Sequence, residues 1–132
     1  MFKNLNLSFY QNVAKLFYAI AAADKFVHPK EYTALKEIVS KEWLSVDDTE
    51  DEYKTDAAYQ IEIVFDWLVT QDKDAETCFQ EFIIYKNEHE YFFTGKMNSL
   101  ILKTAASITS AFSGQNKSEL IMLSKLSLEL ND

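Results

Sequence analysis

Only three residues in this 132-residue chain turn or break a backbone by default: Pro29, Gly95 and Gly114. Proline fixes its own φ, and glycine reaches conformations closed to other residues, so a turn-rich β architecture needs many of both. A chain this short of them must place most of its length in long regular elements joined by few corners. Apolar residues recur at helical spacing along the whole sequence, so those elements are expected to be helices.

The stretch Leu16–Val39, LFYAIAAADKFVHPKEYTALKEIV, shows how one corner is made. Apolar residues carry a first helix to Ala23, with its end expected near Asp24. The polar corner Lys25-Phe26-Val27-His28 leads to Pro29, which suits the first position of a helix because its missing N–H would be an orphan there anyway. With His28 as the cap, Glu31 falls at the third helical position and can reach back to the cap's backbone N–H. Asp24, His28 and Glu31 are thereby brought to one corner, and their oxygen and nitrogen donors suit a divalent cation. The same three residues could instead serve only as caps that hold the corner.

The remaining elements follow from caps and periodicity. Ser8 and Gln11 form an S-x-x-Q capping box, predicting that the first helix starts at Phe9, with Val13, Leu16, Phe17, Ile20 and Ala21 on its inner face. The second helix buries Tyr32, Leu35, Ile38, Val39 and Trp43 and is expected to fade around Leu44 to Val46. The run Asp47–Glu52, DDTEDE, lacks the glycine and spacing of a calcium-binding loop and is read as a solvated acidic loop. A third helix, capped by Thr55 or Asp56, turns Ala58, Ile61, Val64, Phe65 and Leu68 inward. After the turn Asp72-Lys73-Asp74, a fourth carries Ala75, Cys78, Phe79, Phe82 and Ile83. His89 closes it as a surface residue, and Tyr91-Phe92-Phe93 is expected to tuck under a fifth helix. That helix begins at Thr94 or Gly95 and is lined by Met97, Leu100, Ile101, Thr104, Ala105 and Ile108. Asn116 and Glu119 form a capping box for the last helix, which buries Leu120, Leu123, Leu126 and Leu130. The reading is one all-α domain over residues 1–132, a bundle of about six helices with short connections.

Charge and composition narrow the function. The net charge of −8 is carried by 21 acids against 13 lysines, with no arginine. Arginine is the usual reader of phosphates and base edges, and an acidic surface repels a nucleic-acid backbone, so no nucleic-acid partner is expected. No run of about 18 apolar residues offers a membrane span. Ala21-Ala22-Ala23 resembles a signal-peptidase site, but Gln11, Asn12 and Lys15 interrupt the apolar region it would need, so a cytoplasmic location is expected. Cys78, the single cysteine, sits in an apolar setting and reads as a small buried hydrophobe. No nucleophile elbow, phosphate loop or H-E-x-x-H pattern occurs, and the expectation is that the protein is not an enzyme. Aromatic content of 14% leaves Tyr10, Tyr18, Tyr53, Tyr59 and Tyr91 as candidates for a surface patch that binds a protein partner or a second copy.

The corner has an echo. Ile101–Leu126, ILKTAASITSAFSGQNKSELIMLSKL, is again a helix containing alanines, a Phe-bearing polar corner and a helix with an early glutamate, and Phe26 aligns with Phe112. A helix ending A-x-A-D-G, then a hydrophobic residue, Ser/Thr-Pro and Glu, is the pattern of the tellurite-resistance TerB family and of the related domain in DjlA-type co-chaperones. Ala21-Ala22-Ala23-Asp24-Lys25-Phe26-Val27-His28-Pro29-Lys30-Glu31 resembles it. The resemblance implies a helical bundle with an internal pseudo-twofold repeat, an acidic cluster proposed to bind metal ions, and a role in stress response. Two positions depart from the pattern. Lys25 stands where the family has glycine, and Ser110-Ala111 stand where it repeats its aspartate, which weakens the case for a metal site shared between the two corners. With no J-domain in the sequence, a co-chaperone role is not expected.

Overall fold

The computed structural model describes residues 5–43, 52–111 and 117–130, and the side chains of all these except 52–57. Among the described residues there are six α-helices and no strand: α1 (Leu7–Ala21), α2 (Pro29–Ile38), α3 (Glu52–Gln71), α4 (Ala75–Glu88), α5 (Gly95–Ser110) and α6 (Lys117–Leu130). A π-helical turn, Val39–Trp43, extends α2, and a 3₁₀ turn, Glu90–Phe92, precedes α5. The all-α architecture is as expected.

α1 is the centre of the bundle. Phe9, Tyr10, Val13, Ala14 and every residue from Leu16 to Ala21 are buried. It packs against α3, α4, α5 and α6, and a helix apolar on nearly every side has no other stable place. Tyr10 and Tyr18 are therefore core residues, not parts of a surface patch. Tyr18 Oη donates to the Lys73 carbonyl at 2.5 Å. Tyr59 and Tyr91 are exposed as expected, whereas the side chain of Tyr53 lies outside the described residues.

Several boundaries differ from the sequence reading, each for a local reason. Asn6, not Ser8, caps α1: its side-chain oxygen accepts the Phe9 N–H at 2.8 Å, so the helix starts two residues early. α1 also ends at Ala21, ahead of Asp24. α3 begins at Glu52, upstream of the expected caps Thr55 and Asp56. Asp74 caps α4 and Thr94 caps α5, each accepting a backbone N–H three residues on. The aromatic connector packs its rings on α1 and α4. Phe92 and Phe93 meet Phe9 of α1 at 5.4 and 5.6 Å between ring centroids, and Phe93 meets Phe82 of α4 at 5.7 Å. His89 is half-buried, stacked on Tyr85 at 4.1 Å, with Nδ1 3.0 Å from the Tyr85 carbonyl. The DDTEDE run up to Asp51, the Asn116 cap and Phe112 lie outside the described residues.

The π-helical turn aims Trp43 inward. Its Nε1–H donates to Thr104 Oγ1 at 2.9 Å, and its ring meets Tyr10 and Phe17 edge-on, tying the end of α2 to α1 and α5. At the other end of α2, the corner turns on Lys25, whose φ of 70° lies in the left-handed region. Lys25 N–H closes the helix end by donating to Ala22 O at 2.8 Å. A residue with a Cβ is strained there and glycine is not. Lys25→Gly is expected to raise stability by about 1 kcal/mol, read as a higher denaturation midpoint in urea with an unchanged slope.

Candidate functional site

The corner between α1 and α2 is built as its residues suggest. Asp24 Oδ1 accepts the Phe26 N–H at 3.0 Å, an Asx-type turn that bends the chain. Asp24 Oδ2 lies 3.8 Å from His28 Nε2. Pro29 opens α2, and Glu31 Oε1 accepts the His28 N–H at 2.9 Å, the reach-back expected of a capping glutamate. The Phe26 ring, exposed to solvent, meets the His28 imidazole edge-on at 4.5 Å.

Glu31 goes further than a cap. It is fully buried, on the same helical face as Leu35 and Ile38. The sequence reading missed its partner. Glu119, the third residue of α6, is also buried, in line with Met122, Leu126 and Leu130. The expected inner face of α6 included Leu120, but Leu120 is exposed, and the helix is rotated so that Glu119 takes the inner position. The two carboxyls are near enough for Glu119 to push the Glu31 carboxyl upward. Ionised carboxylates only accept hydrogen bonds and repel one another, so their proximity favours a proton on the pair. Burial, the approach of Glu119 and the nearby charge of Asp24 push the Glu31 carboxyl up to about 8, against a smaller lowering by the His28 N–H. The arrangement is an acid pair in an enclosed place, which disfavours ionisation of both carboxyls together.

The three residues expected to form a metal site are thus divided. Asp24 and His28 face each other at the half-buried rim, while Glu31 turns inward to Glu119. Among the described residues no group of three His, Cys, Asp or Glu side chains is placed to hold a metal ion. Glu31 and Glu119 do fit a cation as a pair, because two carboxylates meet where water is excluded. The signal that could have found Glu119 was the echo itself, which places a glutamate third in the helix after each corner. At the second corner the Ser110 hydroxyl donates back to Ala106 O at 2.7 Å, and Ala111 N–H donates to Ile108 O at 3.3 Å. Cys78 is buried, and its thiol is pushed up by that burial, as suits an inert core residue.

Comparison with protein-family models, with curated proteins and with solved structures finds no match for this chain.

The acid pair makes stability pH-dependent, and the sign follows from proton binding. Glu31 binds its proton more tightly in the folded state than at its ordinary value of 4.5. Its contribution is therefore complete below that value and is lost as the pH rises toward about 8. Within this window stability is expected to fall by up to about 1.4 kcal/mol per pH unit. Thermal melts of Glu31→Gln, which keeps an oxygen for the His28 N–H and supplies a donor for Glu119, should show this slope abolished. An equal slope in the variant would place the titration elsewhere.

Proposed function

We propose that this chain is a non-enzymatic TerB-like module of the stress-response type, acting through protein contacts and through divalent cation binding at the Asp24–Glu31 corner. The observation that supports the cation reading is the buried meeting of Glu31 and Glu119. Two carboxyls enclosed together resist ionising side by side, and a divalent ion would compete with the proton for that place. Glu31 and Glu119 would hold the ion, with Asp24 as the nearest further carboxylate and His28 beside it. The ion would supply charge neutralisation, joining the N-terminal ends of α2 and α6. Oxygen donors of this kind favour calcium or magnesium over softer metals.

The second reading is a helical scaffold with no metal, acting alone or by self-association. It is favoured by the upward push on the Glu31 carboxyl, since a proton kept on the pair removes the need for a metal. No helix among the described residues is long and apolar enough to cross a membrane, so neither reading involves a membrane-spanning segment.

Melting the protein at pH 8, with calcium, magnesium or zinc at millimolar concentration, separates the two. A ligand bound only by the folded state stabilises it, by about 2.7 kcal/mol at a hundredfold excess over Kd. The expected result is a rise in Tm with calcium or magnesium that disappears in Glu31→Gln and in Glu119→Gln. The absence of any shift with all three ions would leave the metal-free scaffold.

A further inference from the structure

A cavity of about 620 Å³ opens beside the C-terminal end of α1. The α1–α2 corner supplies one side of it and the Asp72-Lys73-Asp74 turn between α3 and α4 another. Ala22, Val27, Val69 and Met122 give it an apolar lining, and its size is that of a small-molecule site. Both non-glycine residues with positive φ among the described residues, Lys25 at 70° and Asp72 at 52°, line this one cavity. Each closes a helix end: Lys25 N–H donates to Ala22 O at 2.8 Å and Asp72 N–H to Val69 O at 3.1 Å. Glycine would take either backbone position without strain, so each turn brings a charged side chain to the lining at a conformational cost.

The charged residues of the lining differ in what they already hold. Lys73 sets its ammonium 5.7 Å from the Trp67 ring centroid. Asp74 Oδ2 accepts both the N–H and the hydroxyl of Thr77 at 2.9 Å, and Glu76 Oε1 accepts Gln80 Nε2 at 3.2 Å. Those Thr77 bonds hold the Asp74 carboxyl below its ordinary range, and the Lys25 charge is the weakest influence on it. Lys25 and Asp72 are left over. Among the described residues neither side chain makes an ion pair or a hydrogen bond, so they do not reach each other either. One uncommitted cation and one uncommitted anion on an apolar cavity match a ligand that carries both charges and an apolar group. An anion alone would meet the acids Asp72, Asp74 and Glu76, and a cation alone would meet Lys25 and Lys73.

We propose that this cavity binds a free α-amino acid with an apolar side chain, its carboxylate on Lys25, its ammonium on Asp72 and its side chain against Ala22, Val69 and Met122. The site shares no side chain with the Glu31–Glu119 pair, so it stands or falls separately from the cation reading. Calorimetric titration of the full chain with L-leucine and L-phenylalanine, and then with N-acetyl-L-leucine and L-leucinamide, tests it. The expected result is saturable binding of at least one free amino acid at up to millimolar concentration. Both blocked forms, each lacking one charge, should bind at least about tenfold more weakly. Asp72→Asn keeps a residue that tolerates the left-handed turn, and Lys25→Gly relieves the strain at a φ of 70°. Each variant should weaken binding at least about tenfold, with no fall in denaturation midpoint to account for it. Absence of binding by either free amino acid overturns the proposal. So does a blocked form that binds as tightly as leucine, or full affinity in either Lys25→Gly or Asp72→Asn.

Discussion

The burial of α1 on nearly every side is the constraint on which the bundle rests. A helix carrying Phe9, Tyr10, Leu16, Phe17, Tyr18 and Ile20 around its circumference cannot be stable at a surface, so other helices must enclose it. α3 and α4 flank it, α5 and α6 close the remaining sides, and the Phe92-Phe93 turn seals the end near Phe9. α2 is bound mainly through α5 and through the π-helical turn that carries Trp43. Each of these helices therefore needs only one apolar face.

That economy leaves the N-terminal ends of α2 and α6 close together in the interior. Each brings a glutamate at its third position. At a helix start an acid is favoured by the local N–H groups and the helix dipole, so each carboxyl is well placed with respect to its own helix. It is badly placed with respect to the other, since two charges cannot share a dry enclosure. The conflict is eased when the pair keeps a proton, as the upward push on the Glu31 carboxyl indicates. An arrangement in which local capping and global burial disagree is the kind that natural sequences keep for a reason. The proposed function rests on it.

The corner residues show how far local rules reach. Pro29, the His28 cap and the Glu31 reach-back follow from spacing alone, and the structure has them as expected. Lys25 is a different case. It stands at a position with a φ of 70°, where glycine would be free of strain, and it keeps the turn regardless because Ala22 O and the Asp24 carboxylate hold the backbone on either side. At the start of α1, Asn6 and Ser8 are both capable caps. Asn6 takes the role by accepting the Phe9 N–H, although the two residues this adds to the helix, Leu7 and Ser8, are exposed.

The all-α class, the helix count, the inner faces of α3, α4 and α5, and the Asp24–Glu31 corner were all determined by the sequence. Their causes are local: periodicity, caps and the scarcity of turn formers act within a few residues. Only the tertiary structure decided that Tyr10 and Tyr18 are core, that α6 turns Glu119 inward in place of Leu120, and that Glu31 answers Glu119 across the bundle. No pattern rule places a glutamate on an inner face, because an unpaired buried charge is prohibitively unfavourable. It becomes acceptable when the carboxyl keeps its proton, which burial and the approach of Glu119 favour in Glu31, and that meeting spans 88 positions of chain, from Glu31 to Glu119.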